Sequence, residues 1–261
     1  MNAADEGEQL PPSTAGLVRF ALRAWAANAP LYLALQLGVF AAYSIAEVVV
    51  PAATVESPQG QFKQWVFLYT GLFADALVVA AVAIGVAARG VAAHTSARVI
   101  MGAAIDRWLP VIAVSLVAQS VVYLTYASSG LGPPSEPRIL QYLMAPLVWI
   151  LWGILGLTGP FVALGPNRRA VSIVAAFVHA FTASLHRANL LRLCVLALIT
   201  VLPNILQAVA FHALVAHHVT RSFFWANFPI DALTVGPIAA MQTAFALDFA
   251  RRAGAIDQTP P

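Results

Sequence analysis

Six apolar stretches, each about 20 residues long, constrain what this chain can fold into more than any other feature. They cover residues 30–50, 66–88, 108–127, 142–163, 193–214 and 230–250 of a 261-residue chain. A helix rises about 1.5 Å per residue, so each stretch can cross a hydrocarbon core of about 30 Å. Only 10% of the residues are charged, against about 25% in soluble domains. The sequence therefore predicts an all-α integral membrane bundle of six transmembrane helices, with amphipathic interfacial helices on the cytoplasmic side.

The remaining segments leave no room for a soluble domain longer than about 30 residues, given spans of this length. We expect residues 1–15 to be a disordered cytoplasmic leader, residues 16–252 the transmembrane domain, and residues 253–261 a disordered cytoplasmic tail. The leader contains acidic residues and proline and lacks the basic n-region of a cleaved signal peptide.

The basic residues predict the orientation. With six spans both termini share one side, and that side receives eleven of the fourteen Lys and Arg residues: Arg19, Arg23, Arg89, Arg98, Arg107, Arg168, Arg169, Arg187, Arg192, Arg251 and Arg252. The other side receives Lys63, Arg138 and Arg221. The positive-inside rule therefore predicts cytoplasmic termini. Arginine supplies thirteen of the fourteen basic residues, a bias typical of GC-rich bacterial genomes, so we expect a bacterial cytoplasmic membrane. Charges spread along one face do not favour nucleic-acid binding.

Residues 168–187 place Ile173, Val174, Phe177, Phe181 and Leu185 at helical spacing, while Arg168, Arg169, His179, Thr182, His186 and Arg187 mostly fall elsewhere. This pattern predicts an amphipathic helix that lies in the interface against anionic headgroups. Residues 13–28 and 94–107 are weaker versions of it. The predicted headgroup contacts are Arg168, Arg169, Arg187, Arg98 and Arg23, besides His179 and His186. The chain can be divided into three units, each an interfacial helix followed by two spans, with Arg23, Arg107 and Arg187 near their starts. Either a threefold repeat or the threading of three hairpins under the positive-inside rule explains this spacing.

The last span ends VGPIAAMQTAFALDFARRAG, an apolar run closed by an acidic residue and paired arginines. With the basic segments before spans one, three and five, this resembles a group of bacterial six-helix membrane proteins that includes the membrane domain found beside glycerophosphodiester phosphodiesterases. Asp248, Arg251 and Arg252 match the end of the final helix in that group, whereas Ala246 and Leu247 stand where a tyrosine is expected. The resemblance implies a fold and a membrane role and carries no catalytic residues. A local pairing of Asp248 with Arg251 and Arg252, three and four residues later, also explains these residues.

Asp75 lies fourteen residues before Arg89, about 21 Å from the cytoplasmic helix end. It shares a helix face with Gly71 and Val82 and lies close to Val78 and Gly85, so we expect it to point into the bundle. Other polar residues lie at a similar depth: Ser44, Glu47, Gln119, Tyr123, Asn204, Gln207, His212 and Asp231. No Lys or Arg is available at that depth. Two interpretations remain. In the first, Glu47, Asp75 and Asp231 line an outward-opening cavity that binds protons or cations, and Asn204, Gln207 and Gln119 are further candidates. In the second, the three acids serve helix packing and the outer interface.

Backbone signals bear on the same choice. Pro203-Asn204 and Gly236-Pro237 are expected to interrupt spans five and six, and span four carries Gly153, Gly156, Gly159 and Pro160. Transporters use such breaks to bind ions, but Gly and Pro are also simply common in membrane helices.

Catalytic and metal chemistry finds little support. The motifs HExxH, GxSxG, GxxxxGK[ST] and CxxC do not occur, Cys194 is the single cysteine, and His212, His217 and His218 lack a carboxylate or cysteine partner. We therefore expect no catalytic residues, no metal and no cofactor. Three functions remain: an accessory membrane component whose partners are the lipid bilayer and a membrane protein or a second copy, a small-solute or ion transporter using Asp75, and, more distantly, an intramembrane enzyme acting on lipid.

Overall fold

The computed structural model describes residues 10–49, 58–90, 95–128, 139–165, 173–216 and 223–253. Over these ranges the chain is helical, with no β-strand. The α-helices are α1 (Thr14–Ala27), α2 (Ala29–Val49), α3 (Pro58–Gly90), α4 (Ala97–Ser128), α5 (Ile139–Gly156), α6 (Thr158–Leu164), α7 (Ile173–Leu185), α8 (Leu190–Ala216) and α9 (Phe223–Arg252). A single 3₁₀ turn, Arg187–Asn189, joins α7 to α8.

The all-α prediction is confirmed for the described residues, and each predicted span falls on one helix or, for span four, on α5 with α6. Within the described part of the chain, three segments are long and apolar enough to cross a membrane: Ala97–Val121, Ala145–Leu164 and Leu233–Arg252. A fourth follows if α7 and the first part of α8, bent by 74° at His186, count as one broken span.

Breaks within the spans differ from those expected. Both α8 and α9 continue without interruption through Pro203 and Pro237, so the expected interruptions of spans five and six are wrong. The break lies instead in span four, at Leu157 between α5 and α6. A proline removes one backbone hydrogen bond, but neighbouring helices and hydroxyl side chains in a bundle can satisfy the freed groups, so the helix persists.

The N-terminus of α1 is fixed by the side chain of Ser13, whose hydroxyl oxygen accepts a hydrogen bond from the Gly16 N–H at 3.1 Å. This is the usual way a serine satisfies an otherwise unpaired N–H in the first turn. At the other end, Asn28 separates α1 from α2, and its carbonyl accepts from the N–H of Leu31 at 3.0 Å. Helix α1 thus begins inside the stretch assigned to the leader.

Helix α3 lies at the centre of the bundle, where it packs against α1, α2, α4, α6 and α9. Its inner half is built from small and β-branched residues, and Ala80, Ala81, Val82, Ala83 and Val86 are all fully buried. Small side chains let the helix backbones approach closely, which is the main source of attraction between helices in lipid.

The contact between α5 and α8 depends on a glycine. A Cβ at Gly153 would lie 3.1 Å from the Cα and 3.2 Å from the backbone nitrogen of Ala197. These are backbone atoms, which cannot rotate away as a side chain can. A side chain at position 153 would therefore push the two helices apart by a few tenths of an ångström, so Gly153 favours their close crossing.

The three predicted interfacial segments take three different forms. Residues 13–28 form the separate helix α1, residues 97–107 are simply the first turns of α4, and residues 173–185 form α7. The second segment is thus not an independent interfacial helix, because its helical hydrogen bonding continues directly into the span. Residues 168–172 lie outside the described residues.

Candidate functional site

Asp75 lies at a less covered depth of α3 than its predicted place on the bundle-facing side of the helix suggests. Its side chain is exposed, whereas Ala76 and Val78 on the same helix are buried. Val82 and Val86, which share the helix face of Asp75, are fully buried, so the face is the expected one and only the burial differs, because a face of small residues fixes no more than an orientation around the helix. Burial also depends on how many neighbours reach that depth, and those around α3 cover residues 80–86 more completely than residues 73–75.

The remaining polar residues of the predicted belt are only partly described. The side chain of Gln119 on α4 is exposed. The backbones of Glu47, Asn204, Gln207 and Asp231 lie in α2, α8 and α9, but their side chains, like those of Ser44, Tyr123 and His212, fall outside the described residues. A cavity shared by these groups therefore stays a prediction.

A polar contact does join α3 and α4 near Asp75. The indole N–H of Trp108 donates a hydrogen bond to the carbonyl of Phe73 at 2.7 Å, and the two rings meet edge to face at 6.4 Å. This contact fixes α4 against the less buried part of α3.

An arginine–aspartate cluster lies at one end of the bundle. It consists of Asp248 near the end of α9, Arg192 at the start of α8, Arg252 in the last turn of α9, and the carbonyl of Pro12 before α1. Oδ2 of Asp248 accepts from Nη1 of Arg192 and from Nε of Arg252, the latter at 2.9 Å. Nη2 of both arginines also donates to the Pro12 carbonyl, at 3.2 Å for Arg252.

Burial makes this cluster energetically sensitive. The side chains of Asp248 and Arg192 are only 2% and 9% exposed, whereas that of Arg252 is 30% exposed. A buried carboxylate must be paired and hydrogen-bonded to remain charged, and each partner here supplies what the other needs. The cluster locks the chain before α1 onto the ends of α8 and α9.

Sequence reasoning identified only part of this cluster. The predicted local pair is confirmed for Arg252, but Arg251 is exposed and the second partner of Asp248 is Arg192, 56 residues away. A signal for this pair existed in the sequence. Arg192 immediately precedes predicted span five and Asp248 nearly ends span six, so consecutive antiparallel spans would bring both to the same depth.

A buried asparagine ties the neighbouring elements together. Nδ2 of Asn189 donates to the carbonyl of Ala183 at 2.8 Å and to the carbonyl of Phe249 at 3.4 Å. The 3₁₀ turn is thereby connected to the end of α7 and to α9. Asn189 was not singled out from the sequence, because its position between two predicted elements gives no pattern of its own.

A pocket of about 270 Å³ opens beside this connection, between α6, α7 and the end of α9. Its walls are formed by Phe161, His179, Thr182, Ala183, His186, Ala250 and Ala253. The two imidazoles come from one face of α7 and the loop after it, and the opposite wall is apolar. Such a pocket can bind a small polar group that accepts hydrogen bonds from the imidazoles.

Comparisons of the chain with protein-family models, with curated proteins and with solved structures find no match.

The predicted headgroup arginines are described in part. Arg23 on α1, Arg98 on α4 and Arg187 in the 3₁₀ turn are exposed, while Arg168 and Arg169 lie outside the described residues. Metal chemistry has no candidate in the described ranges, since they contain no group of three His, Cys, Asp or Glu side chains arranged to hold an ion.

Proposed function

We propose that the protein is a multi-pass component of the bacterial cytoplasmic membrane in which α2, α3, α4, α5 with α6, α8 and α9 cross the bilayer. Both termini would be cytoplasmic, as the distribution of arginine predicts. The arginine–aspartate cluster supports an even number of crossings, because it joins residue 12 to residue 252 and so holds the two ends of the described chain together.

The observation that carries the membrane placement is a stripe of exposed aliphatic side chains on α8. Leu191, Leu198, Leu202, Ile205 and Val209 recur every three, four or seven residues and are each 44–78% exposed. From Leu191 to Val209 the stripe rises over eighteen residue steps, or about 27 Å of helix, which matches the hydrocarbon thickness of a bilayer. In water a patch of this kind would drive association, whereas lipid covers it at no cost.

For the role of the protein, we propose an accessory or structural component that associates with other membrane proteins or with lipids and carries out no catalysis. The apolar inner half of α3 supports this role over transport. From Ala76 to Ala88, α3 has no polar side chain, and most of this segment is buried against its neighbours. A solute that entered near the exposed Asp75 would meet an apolar wall along this helix. The resemblance to the membrane domain beside glycerophosphodiester phosphodiesterases fits the same role.

The test of this role is purification of the tagged protein from its native membrane in a gentle detergent, followed by mass spectrometry of what remains bound. We expect a membrane protein in stoichiometric amount. A clean monomer or homo-oligomer that supports solute or ion uptake after reconstitution would overturn the proposal. In that case the Asp75→Asn variant should abolish uptake, and the Asp106→Asn variant, which changes another exposed carboxylate, should not.

Orientation can be tested separately because Cys194 is the single cysteine. A Cys194→Ser background accepts single cysteines at Lys63, Arg138 or Arg187. An impermeant maleimide applied to intact cells should label the first two positions and leave the third unlabelled. Labelling of Arg187→Cys without permeabilisation would contradict the proposed topology.

A further inference from the structure

Helix α7 has three distinct faces, which follow from its 100° turn per residue. One face, made of Ala176, Ala180 and Ala183, is buried against the bundle. A second face carries Val174, Val178 and Leu185, all exposed. The third face carries His179, Thr182 and His186, which line the pocket. A large apolar face beside a polar one is typical of a helix that lies at a membrane interface.

The apolar part of this arrangement differs from the sequence-based expectation. The predicted amphipathic helix was expected to have one apolar face, but that face is divided: Phe177 and Phe181 pack on the protein beside the buried alanines, whereas Val174 and Leu185 are exposed. The larger aliphatic residues point away from the bundle. They are therefore left to contact acyl chains, while the polar face lies beside them at the level of the pocket.

The pocket provides both donors and acceptors. The imidazole N–H groups of His179 and His186 can donate to an oxyanion. The hydroxyl hydrogen of Thr182 is already donated to the Val178 carbonyl at 2.7 Å, so its oxygen is left to act as an acceptor. Ala250 and Ala253 belong to the C-terminal end of α9, where the helix dipole favours positive charge or a hydrogen-bond donor.

The volume restricts what can enter. About 270 Å³ is roughly nine times the share of one water molecule in the liquid. This accommodates a phosphodiester with a short head group that bears a hydroxyl or an ammonium. It cannot hold acyl chains, which must lie outside, against the exposed aliphatic face of α7.

We propose that this pocket binds the head group of a membrane phospholipid, with His179 and His186 donating to its phosphate oxygens. The head-group hydroxyl or ammonium is held by the Thr182 oxygen and the end of α9. The neighbouring aliphatic face selects a lipid over free phosphate, because a soluble anion would need no apolar surface beside its site. The inference rests on the membrane placement proposed above.

The test is reconstitution of the purified protein in vesicles of phosphatidylethanolamine and phosphatidylglycerol, re-extraction in mild detergent, and native mass spectrometry. The wild-type protein should retain a bound phospholipid. The His179→Leu/His186→Leu double variant should lose about tenfold or more of this occupancy, because two hydrogen bonds to a charged group are removed. The His179→Asn/His186→Gln variant keeps an amide donor at both positions and should retain most of the lipid.

To check that the variants fold, the thermal midpoints of the three proteins are compared in detergent. The leucine variant should unfold at a midpoint close to that of the conservative double variant. Equal lipid retention by all three would overturn the inference. The inference would also be overturned if inorganic phosphate raised the thermal midpoint of lipid-free wild-type protein as much as the phospholipid does. The site would then serve a soluble anion. Alkaline extraction of native membranes separates the two proposals. A protein that stays in the membrane but retains no lipid at the pocket refutes only this inference, whereas release by alkali refutes the membrane placement itself.

Discussion

Replacing Asp248 with alanine removes the carboxylate on which the arginine–aspartate cluster depends. Its Oδ2 accepts from two guanidinium groups, and one of them, on Arg192, is 9% exposed in its side chain. Without the carboxylate, the Arg192 charge stays buried with only the Pro12 carbonyl as a described partner. Removing one member of a buried ion pair costs about 3–5 kcal/mol, mostly because the other charge is left uncompensated.

This cost is large enough to measure in detergent. For a chain of this size, 1 kcal/mol shifts the thermal midpoint by about 2–4 °C. The Asp248→Ala variant should therefore unfold about 6–20 °C below the wild-type protein in a fluorescence-based thermal scan. The matched control is Arg251→Ala, which removes an exposed charge three residues away on the same helix and should change the stability by less than about 0.5 kcal/mol.

A double variant tests whether the loss comes from uncompensated charge. Arg192→Met combined with Asp248→Leu replaces the buried pair with apolar side chains, a change that is often neutral in other proteins. Arg252 loses its carboxylate partner in this variant but keeps the Pro12 carbonyl and is exposed enough to be hydrated. We expect the double variant to recover most of the lost midpoint. If Asp248→Ala is no less stable than Arg251→Ala, or if the double variant is less stable than Asp248→Ala alone, the electrostatic reasoning is refuted.

Three further changes test the packing. Gly153→Val should lower the free energy of unfolding by about 1–3 kcal/mol, because the new side chain crowds the Ala197 backbone. The control, Gly102→Ala, adds a methyl group in open space and should be neutral or stabilising by up to about 1 kcal/mol. Equal midpoints for these two glycine variants would contradict the close crossing of α5 and α8. Trp108→Phe keeps a ring but loses the donor to α3 and should cost about 0.5–1.5 kcal/mol, seen as a lower thermal midpoint; an unchanged midpoint would mean that water replaces the bond. Asn189→Ala should expose the turn before α8 to proteolysis, because it removes the bonds to α7 and α9; protection equal to that of the wild-type protein would count against this role.

The positions of the helices could be predicted because hydrophobic length is a local property. Each predicted span falls on α2, α3, α4, α5 with α6, α8 or α9, since about 20 consecutive apolar residues suffice to specify a membrane-length helix. The local pair between Asp248 and Arg252 could be predicted for the same reason, because a spacing of four residues fixes two side chains on one face of a helix.

Features that depend on neighbouring helices could not be predicted in this way. The exposure of Asp75 reflects how far the helices around α3 extend. The residue pattern within α3 carries no information about that length. The pairing of Asp248 with Arg192 depends on the depth at which α8 and α9 meet. The pocket at His179 arises only when α7 folds back by 74° and its alanine face packs on the bundle. Prolines gave a prediction that the structure does not bear out. Local chemistry alone predicts a break at Pro203, but α8 continues through it.

The contact between the first and last helices also sets the order in which the molecule can be completed. Helix α1 packs on α9, and the Pro12 carbonyl is held by an arginine 240 residues further along. While the chain is being synthesised, α1 and the central helix α3 therefore keep part of their surfaces uncovered until α9 arrives. A chain that stops before α9 can insert its earlier helices, but the surfaces of α1 and α3 that α9 covers stay exposed. The cluster therefore closes only once α9 is present, and chains truncated before α9 present an open helix surface to membrane quality control.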